Sequence, residues 1–495
     1  MINNHKLILL VHLVKRYLIQ FGLLFTLSLL SVNYLSPEYL NADVLLNSIM
    51  SLQNITLFYW GQNRLINFIP LFLSSISNPI LNISLFLIFS AFVFYAMVWK
   101  ISYYIAMLKN NIIKYTFSSQ IIIFLIFILI FIFLYTKYTL FNFIIWHIEY
   151  IFSYLLFLYI IDIFIHKEVY TKSSYFIITI LSFISIGINN SILLVILAFF
   201  VFYIFIKQNK ITYSIIHIFI ALISFFIWIY IASKYGDTSA YSGLNLHDIT
   251  RHTNQTIFNI LATISTFSLL ILLFIISGFK FIFSNTKEGL QVSRVILAIF
   301  IFMVSWFLLF SNHKWIELNQ YHFRYFFPIF IGIVFIFTIY IWSIVTIFLT
   351  NNKFKIVTIL ILFSIIILKQ ESSFIQYKDY NTFKSWSQVD EKHKQNIRVF
   401  FHAGDYWQVW SAVMYDMMDK KSSYGLAFRS EGNKDKILSE IKNEMKSNNK
   451  IVVYCHNSTI EECSNQVFSK FKNAKLKSNV KIKEGIEQLM FIPLL

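Results

Sequence analysis

Long apolar runs alternate with short polar stretches as far as residue 368, and beyond it the chain changes character. The runs, most of about 17 to 28 residues, are long enough to cross a hydrocarbon core of roughly 30 Å as helices. They predict about eleven membrane spans, near 7–32, 81–108, 116–135, 150–166, 174–187, 190–206, 212–233, 258–283, 295–311, 325–349 and 356–368. The fifth, sixth and last are short, and 174–206 could instead form one long tilted helix, which would reverse every later loop. The Gly187-Ile188-Asn189-Asn190 break favours two helices, because it puts helix-poor, hydrogen-bonding residues at a turn. From about residue 369 the pattern shortens: a strand at Ile397-Val399-Phe401, a helix over 406–419, a strand near 424–428, a helix over 434–447, a strand at Ile451-Val452-Val453-Tyr454, a helix over 459–472, and one or two final strands. This is the pattern of a small α/β domain, and about 125 residues suffice to bury its own core.

Composition agrees with a membrane protein: 57% of residues are hydrophobic, 19% aromatic and only 13% charged. Charge placement supplies an orientation. Of the 21 Lys and Arg in residues 1–368, the span pattern puts 15 on one side: Lys6, Lys15, Arg16, Lys100, Lys109, Lys114, Lys167, Lys172, Lys207, Lys210, Lys280, Lys287, Arg294, Lys353 and Lys355. By the positive-inside rule that side is cytosolic, so the N-terminus is inside and the C-terminal domain extracytoplasmic. No A-x-A-like cleavage site follows the first span, which reads as a retained anchor. Six of the nine acids in residues 1–368 fall in external loops: Glu38, Asp43, Glu149, Asp237, Asp248 and Glu317. Loops hold charges in any protein, but that does not account for the asymmetry; an external site that needs carboxylates does.

The net charge of +17 combines the cytosolic Lys excess, which touches anionic lipid headgroups, with a C-terminal domain of net +5, from 20 basic and 15 acidic residues. Charge dispersed over many short loops argues against nucleic-acid binding. Twelve glycines and no Gly-rich phosphate loop argue against ATP-driven chemistry, and no His or Cys spacing matches a structural zinc site. Cys455 and Cys463 both lie in the C-terminal domain, where an oxidising compartment would permit a disulfide.

The first external loop, about 33–80, is the longest in the membrane region. It holds Ser36-Pro37-Glu38 and Asn41-Ala42-Asp43, then a mixed apolar and polar stretch over 44–57, then Phe58-Tyr59-Trp60-Gly61-Gln62-Asn63-Arg64. Such a stretch is expected to lie along the interface as an amphipathic helix with Tyr59 and Trp60 at headgroup depth. Asp43 is then a candidate catalytic base at the membrane surface, with Glu38 the alternative; Asn41 or Asp43 could equally cap that helix. Asp405, in Gly404-Asp405-Tyr406-Trp407, reads more readily as a helix cap than as a catalytic group.

A carboxylate shortly after the first span, an interfacial helix with an aromatic-Gly-x-x-Arg stretch, about eleven spans and a C-terminal external domain resemble the GT-C class of membrane glycosyltransferases. Two further stretches carry the resemblance: Asn319-Gln320-Tyr321-His322-Phe323-Arg324-Tyr325-Phe326-Phe327-Pro328, similar to an Arg-Tyr-x-x-Pro pattern at a late span, and the Asp-Tyr-Trp run at 405–407. One departure is that many members have two adjacent acids in the first loop, whereas Glu38 and Asp43 are five residues apart. The resemblance implies a GT-C-like fold and an inverting transfer, by single displacement, of a sugar from a polyprenyl-phosphate donor to a glycan, lipid or protein acceptor on the extracytoplasmic face.

The residues offer chemistry for such a transfer. Asp43 could take the acceptor proton, and Arg324, with Tyr325 and His322 as donors, could hold the departing lipid phosphate. Arg64, Arg251 and His252 compete for that role, although each could be a snorkelling anchor. Trp60 and Asp248 are further substrate-binding candidates. His147 and Glu149, in Trp146-His147-Ile148-Glu149-Tyr150, could bind acceptor or a divalent cation, but two ligands do not make a metal site. No cofactor is otherwise implied; the expected partners are membrane lipids, the polyprenyl-phosphate sugar and the acceptor. The 234–254 loop has no apolar period and would either close over substrate or serve as a connector. The competing functions are a polysaccharide polymerase or ligase and a lipid-linked glycan transporter; a transporter should show an internal repeat and mid-membrane ionisable residues, and Asp162 lies near a cytosolic end. Richness in Ile, Asn, Lys and Phe suggests an AT-rich genome, and the short loops suit a bacterial inner membrane with a periplasmic domain, the endoplasmic reticulum being the alternative.

Overall fold

A computed structural model describes residues 4–60, 64, 67–108, 116–166, 171–206, 211–235, 243–245, 247–264, 287–348, 352–370, 397–427 and 432–493. In chain order its α-helices are α1 (Asn4–Tyr39), α2 (Ala42–Gln53), α3 (Phe68–Leu73), α4 (Pro79–Leu108), α5 (Phe117–Leu134), α6 (Lys137–Phe141), α7 (Ile148–His166), α8 (Lys172–Ile188), α9 (Ile192–Ile206), α10 (Ile211–Tyr235) and α11 (Ile249–Leu261). They continue with α12 (Lys287–Ser311), α13 (Lys314–Leu318), α14 (Phe327–Phe348), α15 (Asn352–Lys369), α16 (Tyr406–Met418), α17 (Lys434–Asn448) and α18 (Ile460–Lys470). Five strands complete the set: β1 (Val399–Gly404), β2 (Ser422–Gly425), β3 (Ile451–His456), β4 (Ala474–Lys483) and β5 (Ile486–Pro493).

Among the described residues seven helical segments are long and apolar enough to cross a membrane, namely Leu13–Tyr39, Pro79–Leu108, Phe117–Leu134, Ile148–His166, Ile211–Lys234, Val292–Ser311 and Phe323–Thr346. Lys172–Ile188 and Ile192–Ile204 are shorter apolar helices. Asn189 ends α8, and its Oδ1 accepts from the amide and hydroxyl of Ser191, so the 187–190 break is a turn between two helices. The predicted span 258–283 falls mostly outside the described residues, as do Asp237, Lys109, Lys114, Lys167, Lys207, Lys210, Lys280 and Gly61-Gln62-Asn63.

The chain divides into two compact units. The first comprises residues 1–34, 90–228 and 239–372. Within it α5 is apolar all round and buried on nearly every side, with α14 and α15 packed against it. α7 and α8 are tied by a reciprocal pair of bonds, Ser153 Oγ to the Ser185 carbonyl and Ser185 Oγ to the Ser153 carbonyl.

The second unit comprises residues 35–89, 229–238 and 373–495, so the first loop and the C-terminal domain share it. Its sheet runs β2-β1-β3-β5-β4, with β1 parallel to β2 and β3, and β5 antiparallel to β3 and β4. Alternation divides the sheet's residues between two faces. Phe401, Ala403, Val453 and Cys455 pack with Ile441 of α17 and Val467 of α18, while Phe400 and Tyr454 pack with Ala412 of α16. The predicted order of strands and helices is the observed one. β2 begins and ends slightly earlier than expected, and Cys455 and Cys463 are joined in a disulfide.

Three expectations about the first loop need correction. α1 continues through Pro37 to Tyr39, so Glu38 sits on the last turn of a helix rather than in a loop. α2 is not an interfacial helix: nine of its twelve residues are buried. The polar residues that made it look amphipathic, Ser48 and Ser51, bond the buried Asn82 at the start of α4, and its other neighbours are α3 and α16. Tyr59 and Trp60 are likewise buried rather than at headgroup depth, because Trp60 packs on Trp410 of α16, with ring centroids 6.0 Å apart.

Candidate functional site

Two clusters bring predicted residues together, one in each compact unit.

In the second unit, Asn41 caps α2 by accepting from the Val44 amide, which leaves Asp43 in the helix's first turn with its side chain directed elsewhere. Its Oδ1 accepts a hydrogen bond of 2.6 Å from the Tyr406 hydroxyl, at the start of α16. A carboxylate in the first turn also interacts favourably with the helix dipole. The Asp43 carbonyl accepts from the side chains of Asn47 and Tyr59, and the Arg64 guanidinium lies 4.2 Å from the centre of the Tyr59 ring. Four predicted or motif residues, Asp43, Tyr59, Arg64 and Tyr406, thus form one connected group. Asp405 caps α16 by accepting from the Trp407 amide, and Glu38 is exposed at the end of α1. Trp60 belongs to the core. Neighbouring bonds lock the arrangement: Gln53 donates to the Ser423 carbonyl at 2.8 Å, Asn433 donates to Gln53, and Asn54 donates to the Gly432 carbonyl.

In the first unit, a π-helical turn over Asn142–Trp146 leads from α6 into α7 and delivers Trp146, His147 and Glu149. Such turns are rare and often lie at functional sites. The His147 ring stacks on Trp146, and its Nδ1 is 3.6 Å from Glu149 Oε1. The same Trp146 ring meets residues about 180 positions later in the chain: His322 packs against it edge-on, and the Arg324 guanidinium lies 5.8 Å from its centre. Arg324 Nη2 donates to Asn319 Oδ1 at 3.0 Å and to the Tyr325 hydroxyl at 2.7 Å. His322 accepts from the Arg324 amide at Nδ1. Burial, then the positive Arg324, then His147 push the His322 pKa down to about 3, so the ring is neutral in the physiological range. The cluster therefore offers one fixed cation flanked by a phenol, an amide and a neutral imidazole.

The loop that carries Asn319 and His322 is itself strained. Gln320 and Tyr321 are consecutive left-handed residues with φ of 53° and 54°, an uncommon conformation for side chains of that size. α11 holds them. His252, buried, donates from Nε2 to the His247 carbonyl and accepts at Nδ1 from the Tyr321 hydroxyl, while Asn259 donates to the carbonyls of Gln320 and Tyr321. His252 is thereby a support for the loop, Asp248 caps α11 through the Arg251 amide, and Arg251 is exposed. The 234–254 stretch is accordingly shorter as a loop than expected, since α10 runs to Tyr235 and α11 starts at Ile249.

Tyr406, Asn319 and Tyr321 stood in the quoted motifs, but their partners are known only once the fold places them. A buried chain in the α/β domain carried no signal in the sequence: Asp416 Oδ2 lies 2.8 Å from His402 Nε2, and His402 Nδ1 lies 2.8 Å from His456 Nε2. Among the described residues no group of three or more His, Cys, Asp or Glu is placed to hold a metal ion. No family model, no curated protein and no solved structure matches the chain.

Proposed function

We propose that the chain is a membrane glycosyltransferase of the GT-C kind, moving a sugar from a polyprenyl-phosphate donor to an acceptor hydroxyl on the extracytoplasmic face. The observation that carries this reading is the Asp43 carboxylate, set in the first turn of α2 and fixed by the Tyr406 hydroxyl. In the proposed step the acceptor oxygen forms a bond to the anomeric carbon as its proton passes to Asp43. The bond from that carbon to the lipid phosphate breaks, and polyprenyl phosphate leaves with the electron pair. A single displacement of this kind inverts the anomeric centre. In Asp43's own unit the cation for the phosphate's charge is Arg64, over the Tyr59 ring, and in the other unit Arg324, held by Asn319 and Tyr325, is a separate oxyanion candidate. His147 and Glu149 belong to the Arg324 cluster of the other unit as candidate substrate contacts, two donors being too few for a metal.

Sidedness and span count belong to the same proposal. The Lys and Arg bias along residues 1–368 supports a cytosolic N-terminus and eleven spans, and the Cys455–Cys463 disulfide supports an oxidising compartment for the C-terminal domain, as in a bacterial periplasm.

The test is sugar transfer from a polyprenyl-phosphate donor by Asp43→Asn, with Glu38→Gln in parallel. Loss of a general base is expected to slow transfer about 10²- to 10⁴-fold in the first variant and to leave the second near wild type. Unchanged transfer by an Asp43→Asn protein that inserts and folds normally overturns the mechanism. Comparing lipid and glycan extracts from cells with and without the protein identifies the sugar.

A further inference from the structure

We infer that α11 is a membrane-surface helix, and that through His252 and Asn259 it holds the strained loop beneath Arg324 against the bilayer interface. The inference does not depend on the proposed reaction. α11 presents a protein side, an apolar patch in its last turns and a polar surface in its first. Its protein side carries the buried His252 and Thr256 together with Asn259, the residues that grip Gln320 and Tyr321 or face that way. In the last turns Ile257, Phe258 and Leu261 form an apolar patch, with Phe258 68% exposed and Leu261 59%. In the turns before it Thr250, Arg251, Asn254 and Gln255 are exposed. A helix lying in water has no use for the apolar patch, and one buried in protein has none for the polar turns. A helix on protein whose last turns dip into acyl chains while its first turns stay among headgroups matches all three.

The occupant of the apolar patch follows from what adjoins it. α11 packs on α12, one of the helices long and apolar enough to cross a membrane. α12 leaves Leu297, Phe300, Ile301, Val304 and Leu308 exposed at helical spacing, the stripe by which such a helix meets lipid. At its end comes Leu318 of α13, 60% exposed. The apolar surface is thus continuous from a lipid-facing helix onto α11, and the bilayer that covers the first covers the second.

Both native cysteines are in the disulfide, so one introduced cysteine gives a unique site for a spin label in the full-length protein in phospholipid nanodiscs. At Phe258→Cys and Leu261→Cys, oxygen should relax the label more than a water-soluble nickel chelate does; at Gln255→Cys the order should reverse. Chelate-dominated relaxation at 258 and 261 overturns the membrane placement. For the grip on the loop, a label at Leu318→Cys should gain mobility in His252→Ala and regain order in His252→Asn, with label depth at 258 unaltered. Equal mobility at 318 in all three backgrounds overturns the grip while leaving the placement standing.

Discussion

A half-buried imidazole next to a guanidinium favours its neutral form, and His322 is such a ring. Its pKa is held near 3 against an ordinary value of 6.5, by burial first and Arg324 second. The unfolded chain takes up a proton below about 6.5, whereas the folded chain resists until about 3. Stability linked to this residue is therefore fully present above pH 6.5 and is lost as pH falls toward 3. His322→Gln should flatten the acid side of a denaturation profile over that interval; an unaltered acid side would show that the ring does not carry the effect. A NMR titration of His322 between pH 5 and 8 should likewise show no inflection, as a ring with a pKa near 3 requires.

Among elements, the packing of α2 on α16 is where sequence and structure part company. Strands and helices after residue 397 were legible because periods of two and of 3.6 are written in the side chains. The helix break at Asn189 was legible for a comparable reason. α2 was not, since a helix with Asn47, Ser48 and Ser51 on it resembles a surface helix unless one knows that Asn82 waits to satisfy the two serines. The end of α1 misled in the same way, as Pro37 sits where a helix usually stops but here falls in the last turn. The sites were half legible. Asp43, His147, His322 and Arg324 are conspicuous as polar residues beside apolar runs, but nothing local announces that Tyr406 meets Asp43 or that Trp146 bridges His147 and Arg324. Tight packing in this region has a measurable consequence. A methyl group at Gly432 would overlap the Trp60 indole, itself pinned on Trp410. Gly432→Ala should destabilise the second unit by about 1–3 kcal/mol, the usual cost of overpacking. Denaturation followed by tryptophan emission checks it, and a neutral outcome would mean that the indole can move aside.

For the whole molecule, one compact unit gathers residues 35–89, the end of α10 and the C-terminal domain. Under the proposed sidedness, in which the loops of this unit and the C-terminal domain all face one side of the membrane, a parity rule follows. The chain must cross an even number of times between α4 and the end of α10, and again an even number between there and the C-terminal domain. α4, α5, α7 and α10 give an even count, and α8 with α9 as a separate pair preserves it. A single span over 174–206 would make the count odd and strand the C-terminal domain away from Asp43. Reporter fusions or membrane-impermeant labels placed after α2, after α10 and at the C-terminus should all read the same side, and a split reading would mean that Asp43 and Tyr406 never meet.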